Sequence, residues 1–132
     1  MLRFERIFNG YLIPEYLINQ VKPGWIQEKF YNALSKAEEN GNILLYGLFN
    51  EERELKGFLW ATASPVDKCI YGNILSVDRL YQNNGTYIHE AIKELKQVRK
   101  ILEFTGIKWV TTRPKAFERY GFKRSKAVLM EE

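Results

Sequence analysis

This chain of 132 residues contains one cysteine and one histidine, Cys69 and His89. A single cysteine excludes an intramolecular disulfide, and the two residues together are too few for a zinc site of cysteine and histidine ligands. Because the carboxylates are not clustered at ligand spacing either, we expect no metal site. Cys69 has no histidine nearby in the sequence, which predicts a small buried core residue rather than a nucleophile.

Long apolar runs are also missing, and charges at Arg3, Glu5, Arg6 and Glu15 interrupt the amino-terminal segment. This pattern differs from that of a signal peptide, and no apolar stretch has the length of a membrane span. The glycine-rich motifs of Walker and dinucleotide-binding loops are absent as well. We therefore expect a cytoplasmic protein with no membrane partner.

What the chain does contain is ordinary globular composition, with 45% hydrophobic and 27% charged residues, and its length suits one domain over residues 1–132. The net charge is +4, and the carboxy-terminal third is more basic than the rest of the chain. A basic surface favours anionic partners, either a phosphate-bearing cofactor or nucleic acid. No nucleic-acid-binding motif frames these charges, so nucleic acid is the minor alternative, and most charged helix faces are simply solvated.

Hydrophobic periodicity and turn residues predict ten elements in the order β-α-α-β-β-β-α-β-α-β. The order and the short polar connectors between the central strands predict an α/β (α+β) fold, with a mixed, mainly antiparallel twisted sheet flanked by helices. The predicted elements are Phe4–Gly10, Pro14–Val21, Trp25–Glu39, Asn42–Asn50, Leu55–Ser64, Cys69–Leu80, Tyr87–Phe104, Ile107–Thr112, Pro114–Tyr120 and Phe122–Met130.

The most specific pattern lies in the last third of the chain. The strand-like segment Ile107–Thr112 runs into Arg113–Phe122, a turn and short helix ending in Phe-Glu-Arg-Tyr-Gly-Phe. This unit, together with the element order, resembles the GNAT acyltransferase superfamily, whose members often read Tyr-Glu-Lys-Leu-Gly-Phe at this place. The resemblance implies a single GNAT-like domain over the whole chain.

A second motif, Gln82-Asn83-Asn84-Gly85-Thr86-Tyr87, lies between a predicted strand and the long helix. Helix amino termini offer unpaired N–H groups and a positive dipole end to phosphates. The family has Arg/Gln-x-x-Gly-x-Gly/Ala here, and the resemblance implies that these six residues bind the pyrophosphate of acetyl-CoA while Leu75, Ser76 and Val77 pair with its pantetheine arm. Tyr87 departs from the pattern, since a ring pointing into the loop obstructs the pyrophosphate and a ring pointing into the core leaves the site intact.

The resemblance also identifies the position of the usual general acid, a tyrosine on the last helix, which is Phe117 in this chain. Phenylalanine has no proton to donate. Tyr120 lies almost one helical turn further on and is the substitute candidate, with packing against the sheet as its alternative role.

A general base must accept the proton of the attacking amine. Asp78 at the end of the fourth strand and Asp67 in the turn before that strand are the candidates, and Ser76 is a candidate for orienting a water molecule. Asp78 also has a structural alternative, a solvated ion pair with Arg79. His89, on the first turns of the long helix, is more typical of a structural or exposed residue than of a catalytic one.

Two functions remain open at this point. The first is an N-acyltransferase that moves an acetyl group directly from acetyl-CoA to an amine of a small molecule or protein, and the second is a catalytically degenerate GNAT-fold binding or structural protein of the phage type. Trp25, Trp60 and Tyr71 either line an acceptor pocket or fill the core. A homodimer through exposed sheet edges is a further expectation.

Overall fold

The computed structural model describes residues 1–40, 42–82, 85–109, 111 and 114–125. Short 3-10 turns, Gly10–Leu12 and Arg79–Tyr81, precede the first and third helices. The strands are β1 (Arg3–Arg6), β2 (Asn42–Phe49), β3 (Leu55–Ser64), β4 (Cys69–Val77) and β5 (Gly106–Trp109), and the helices are α1 (Glu15–Val21), α2 (Gln27–Asn40), α3 (Thr86–Leu102) and α4 (Pro114–Glu118).

The five strands form one sheet in the order β1-β2-β3-β4-β5. Successive strands from β1 to β4 are antiparallel. Short connectors join β2 to β3 and β3 to β4, whereas α1 and α2 lie between β1 and β2. β5 runs parallel to β4, and α3 makes the crossover that a parallel connection needs. The result is a single α+β domain with a mixed sheet flanked by helices, which confirms the predicted fold class.

The two faces of the sheet are covered by different helices. The alternation of β2 places Leu45 in a core with Leu17 of α1 and Phe30 of α2, whereas Leu44 packs with Leu95 of α3. Each face therefore has its own apolar core, and the sheet is buried between them. None of the helices in the described ranges has both the length and the apolar composition needed to cross a bilayer.

Most predicted elements are present, with ends that move by a few residues. β4 ends at Val77 rather than at the predicted Leu80, because the Asp78 carboxylate accepts a hydrogen bond from the Leu80 N–H (3.0 Å) and caps a 3-10 turn. The predicted last strand is not supported over its first residues, since Phe122–Ser125 has no strand geometry, and residues 126–130 lie outside the described ranges.

Candidate functional site

β4 has a partner strand on both sides for only part of its length. Its first half, Cys69–Gly72, pairs with β5, and Gly72 opposite Trp109 is the last described pair of that ladder. Its second half, Asn73–Val77, continues beside β3 alone among the described residues. Gly72 is therefore the last residue of β4 with a described partner in β5.

A β-bulge lies directly after Gly72. Trp60 of β3 pairs with Ile74 of β4, whereas the next residue of β3, Ala61, pairs with Gly72, so Asn73 is an extra residue in β4. The Asn73 side-chain amide donates to the Thr62 hydroxyl oxygen (2.9 Å), which fixes the bulge to β3. Because a bulge bends its strand and increases the local twist, β4 turns away from β5 here.

Three aromatic rings, those of Trp109, Phe117 and Phe122, pack together on the side of β4 where β5 lies. The Trp109 indole lies over Gly72 so closely that a Cβ at Gly72 would overlap it. Phe117 of α4 packs on Trp109 with 5.0 Å between ring centroids, and Phe122 contacts Phe117 edge-on at 5.6 Å. Phe117, at the position of the family's acid, is thus a buried packing residue that also faces a cleft beside β4.

The separated strands border a cleft of about 780 Å³. Its walls include the end of α1 (Gln20–Lys22), the second half of β4, the start of α3 at Gly85, and the aromatic side at Trp109 and Phe117. Among the described residues that line it, the charged ones are Lys22 and Arg79. Both are basic, so the cleft attracts an anionic ligand.

The outer edge of β4 presents backbone polar groups to this cleft. The Asp78 N–H donates to the Lys56 carbonyl of β3 (2.8 Å). In an antiparallel pair, alternate residues direct their N–H and C=O groups to the same neighbour, so Ser76 also faces β3. Leu75 and Val77 then direct their backbone groups to the opposite side, which is the cleft.

The amino terminus of α3 closes one end of the cleft. Gly85 is its N-cap residue with φ +82°, a conformation that favours glycine, and it offers no side chain to the first N–H groups of the helix. The Tyr87 ring lies in an apolar cluster with Leu2, Leu48 and Val77, and the Tyr87 hydroxyl accepts a hydrogen bond from the Leu2 N–H (3.0 Å). The ring therefore points into the core, which is the orientation that does not obstruct the predicted pyrophosphate loop.

Ser76 lines the cleft but its hydroxyl is already engaged. The side chain is buried, donates to the Leu17 carbonyl (2.7 Å) and accepts from the Gln20 side-chain amide (3.1 Å). Both partners belong to α1. The described geometry therefore gives Ser76 the role of joining β4 to α1, and its proposed orientation of a water molecule stays a prediction.

Asp78 lies at the end of β4 and is not among the residues that line the cleft. The hydrogen bond from the Leu80 N–H, followed by that from the Tyr16 hydroxyl (2.8 Å), holds the pKa of Asp78 below its ordinary value. The same pair raises the pKa of Tyr16 to about 12, with burial as the larger cause. A carboxylate with a lowered pKa is a weaker base, so this environment does not favour Asp78 as the general base.

Tyr120 packs beside the start of α3. Its ring lies 4.9 Å from the His89 ring, and its hydroxyl oxygen is 4.0 Å from the place where a Cβ at Gly85 would lie. These contacts place the ring beside the helix terminus, and its predicted packing against the sheet stays a prediction. Its hydroxyl oxygen lies near Gly85 of the predicted pyrophosphate loop.

The remaining candidates lie away from the cleft. Asp67 is exposed in the turn before β4, and the hydrogen bond from the Tyr71 hydroxyl, the largest cause, holds its pKa below the ordinary value. Trp25 and Trp60 pack against the core under α1 and α2, and Cys69 is buried as predicted. Within the described ranges, no group of three or more His, Cys, Asp and Glu side chains is arranged to hold a metal ion.

The structure thus brings most of the predicted cofactor residues to one cleft, namely Leu75, Ser76, Val77, Gln82, Gly85 and Tyr87. Thr86 is the first residue of α3, and Asn83 and Asn84 lie outside the described residues. Sequence reasoning missed further cleft residues, among them Gln20, Lys22, Arg79 and Trp109. None of them has a local signal, because each reaches the cleft through contacts between residues far apart in the chain.

Comparison with solved structures identifies the fold. AAC(6')-Iy, an aminoglycoside N-acetyltransferase solved with a CoA-containing bisubstrate analogue, matches with a TM-score of 0.76 and 12% identity over 100% of this chain and 97% of that one. AAC(6')-Ih of Acinetobacter baumannii matches at 0.72 with 10% identity over 100% and 97%. A Trypanosoma brucei acetyltransferase matches at 0.68 with 13% identity over 100% and 99%.

No protein-family model and no curated protein sequence matches this chain. At these low identities the solved structures establish the fold alone. The chain has the GNAT fold of these acetyltransferases, as its last third and element order indicated.

Proposed function

We propose that this chain is an N-acyltransferase that transfers an acetyl group from acetyl-CoA to an amine. The observation that carries the proposal is the cleft beside the second half of β4. Along this cleft, an edge of β4 without a described partner strand leads to the start of α3, whose N-cap residue Gly85 has no side chain to cap it. Acetyl-CoA fits both features, because its amide-containing arm would pair with the edge of β4 and its pyrophosphate would lie at the start of α3.

The phosphate end of the cofactor would lie at Gly85. The first N–H groups of α3 and its dipole favour an anion, and a glycine with positive φ allows close approach to the backbone. Lys22 and Arg79 add positive charge to the cleft. The hydroxyl of Tyr120 lies beside this loop and would donate to a phosphate oxygen.

The pantetheine arm would lie along β4 as an added strand. Leu75 and Val77 direct backbone N–H and C=O groups toward the cleft, and an amide-bearing chain satisfies such an edge by forming hydrogen bonds with it. The bulge at Asn73 lies directly after Gly72, the last residue of β4 with a described partner in β5. The open edge is therefore the feature that selects an extended ligand.

The bound cofactor supplies an activated acetyl group as a thioester. The nitrogen of the acceptor forms a bond to the acetyl carbon, the carbon–sulfur bond breaks, and the sulfur leaves as a thiolate that takes up the proton given by the amine. With Phe117 at the position of the usual acid, the contribution of this chain is mainly to place the two reactants together, which alone supplies several kcal/mol.

The alternative function is a GNAT-fold binding protein without catalysis. Two observations favour it: Phe117 has no proton to donate, and among the described residues that line the cleft none is acidic. This alternative still predicts a ligand in the cleft, but it predicts no release of free CoA thiol when acetyl-CoA and an amine are supplied together.

Thermal unfolding with and without acetyl-CoA tests the proposal. A ligand at one hundred times its Kd stabilises the folded state by about 2.7 kcal/mol, so the melting temperature should rise clearly. The absence of any rise at millimolar acetyl-CoA would contradict the proposed cofactor. Thiol release with a panel of amines then separates the enzyme from the binding protein.

A pair of glycine variants locates the site. Gly85→Trp should abolish the rise in melting temperature, because the indole would fill the loop near Tyr120. Gly24→Trp is the matched control, since Gly24 also has a positive φ (+83°) and its Cβ position has no described neighbour within 4 Å. Both variants carry the same backbone strain, so a ligand effect that disappears in both would reflect that strain rather than the site. A ligand effect that persists in Gly85→Trp would place the cofactor elsewhere.

A further inference from the structure

The Val77 carbonyl, at the free edge of β4, receives two side-chain donors. The Nε2 of Gln82 lies 2.9 Å from this oxygen and the Nε2 of Gln20 lies 3.2 Å from it. Gln20 is at the end of α1, and Gln82 belongs to the loop before α3. Two different parts of the chain therefore converge on one backbone oxygen of the cleft wall.

These donors fill the acceptor capacity of the oxygen. A backbone carbonyl has two lone pairs, and each glutamine amide occupies one of them. Val77 also directs its backbone groups away from β3, so its oxygen is one of the places where an added strand along β4 would form a hydrogen bond. An incoming N–H group then meets an acceptor that is already in use.

We infer that Gln20 competes with the amide-bearing arm of the cofactor for the Val77 carbonyl and thereby lowers the affinity of the cleft for CoA. The inference rests on the proposed cofactor site. Gln20 is the residue that yields, because its bond to Val77 is the longer one and its Nε2 keeps a second acceptor, the Ser76 hydroxyl oxygen at 3.1 Å. Gln82 holds the shorter bond and is part of the phosphate loop.

The direction of the effect follows from this competition. CoA binding forms one hydrogen bond to the Val77 oxygen and breaks the one donated by Gln20, so the contact gives little net gain in the unmodified chain. A residue at position 20 without a donor removes the bond that must be broken. The net value of one hydrogen bond corresponds to about a fivefold change in Kd.

Gln20→Met tests the inference, because methionine has a similar length and no N–H donor. Calorimetric titration with CoA should give a Kd about fivefold lower for Gln20→Met than for the unmodified chain. Titration with adenosine 3′,5′-bisphosphate, which has phosphates but no pantetheine arm, should give the same Kd in both. An unchanged or higher Kd for CoA would overturn the inference, as would an equal gain for both ligands.

Gln27→Met is the matched control. The Gln27 amide also bridges two oxygens, the backbone carbonyls of Tyr11 (2.6 Å) and Ile13 (2.9 Å), but it lies outside the cleft. This variant should lose stability without any change in the Kd for CoA. A lower Kd in both variants would show that loss of any such bridge loosens the chain, and would overturn a specific role of Gln20.

Gln20→Asn provides a second variant in case the methionine variant does not fold. Its amide keeps the polarity of the site but is one methylene shorter, so it should no longer reach Val77 and the Kd for CoA should fall in the same direction. If CoA binds the unmodified chain and neither variant changes the Kd, only the inference about Gln20 fails. If the unmodified chain does not bind CoA, the proposed function fails with it.

Discussion

The two halves of β4 have the same strand geometry and different surroundings. Cys69–Gly72 lies between β3 and β5 and is part of the closed sheet, whereas Leu75–Val77 has β3 on one side and the cleft on the other. The difference arises at two adjacent residues, Gly72 beneath an indole and the bulged Asn73. A candidate binding site thus results from the interruption of a regular sheet.

In the closed half, Cys69–Gly72, the Trp109 ring packs where a side chain at Gly72 would lie. Gly72→Ala should therefore have the largest effect on stability. The added Cβ would overlap the Trp109 ring, so either the ring or β5 must move, at a cost of about 3 kcal/mol. Gly106→Ala is the control, because the nearest described atom to its Cβ is the Cys69 sulfur at 3.7 Å, an ordinary contact.

Chemical denaturation of these two variants measures the difference. The double variant Gly72→Ala with Trp109→Leu should recover part of the loss, because the smaller side chain no longer overlaps the new methyl group. Equal stability losses for Gly72→Ala and Gly106→Ala would show that the close packing of Trp109 on Gly72 is not what holds the closed half together.

The open half depends on its attachment to α1, and Ser76→Ala should weaken this attachment by removing the two hydrogen bonds of the Ser76 hydroxyl. The Leu17 carbonyl and the Gln20 amide would each lose a buried partner, so the free energy of unfolding should fall by about 1–3 kcal/mol. Ser35→Ala, on the exposed side of α2, should have no such effect.

The same variant separates two roles of Ser76. Stabilisation by acetyl-CoA should persist in Ser76→Ala if the hydroxyl only joins β4 to α1. A large loss of acetyl transfer with unchanged stability would instead assign Ser76 to the chemistry and contradict the structural role.

The aromatic wall opposite the open half lacks a proton donor, and Phe117→Tyr should add one. Under the proposed function, the rate of thiol release from acetyl-CoA in the presence of an amine should rise by about tenfold, the low end of what a positioned acid contributes. Phe122→Tyr is the control, since Phe122 contacts Phe117 but is not among the residues that line the cleft. If the rate of thiol release does not rise in Phe117→Tyr, the absence of a general acid is not what limits the rate.

Asp78 follows the open half and accepts hydrogen bonds from the Leu80 N–H and the Tyr16 hydroxyl. Of the changes considered, Asp78→Asn should have the smallest effect on the free energy of unfolding. Because the folded pKa of Asp78 is lowered, its carboxylate stabilises the fold above its unfolded pKa, and this contribution is lost as the pH falls through the folded pKa. Asp78→Asn should therefore reduce stability at neutral pH by less than about 1 kcal/mol, given its solvent exposure.

Denaturation midpoints measured across the acidic range check the sign of this effect. The difference between Asp78→Asn and the unmodified chain should shrink as the pH falls, and Tyr16→Phe should show part of it because it removes one of the two donors. A difference that stays constant with pH would indicate that the charge of Asp78 is not involved.

The sequence predicted the elements well because their signals are local. The spacing Ile88, Ala91, Ile92, Leu95 marks α3 whatever surrounds it, and three of these residues are buried in the structure. The strand ends were less accurate, since the end of β4 depends on which backbone groups find a partner. Asp78 caps a turn there, and its neighbour in sequence, Arg79, is not the partner that the alternative interpretation expected.

The residues of the candidate site also fall into two groups, those predicted from a local motif and those brought together only by tertiary contacts. Gln82 and Gly85 were predicted because the proposed phosphate loop is a continuous motif, whereas nothing in the sequence around Gln20 distinguishes it from any other polar helix residue. Its role depends on α1 packing across β4, which brings its amide to Val77. The orientation of the Tyr87 ring, left open by the sequence, likewise depended on the position of Leu2.

By itself, the sequence predicted most of the strands and helices in order, because hydrophobic spacing and turn residues act between near neighbours. Its resemblance to a known superfamily implied the GNAT fold. Only the tertiary structure decided where the sheet opens, which backbone oxygens face the cleft, and that Phe117 and Tyr120 face different places. These features depend on contacts between residues far apart in the chain, such as Trp109 with Gly72 and Gln20 with Val77, and such contacts have no local pattern.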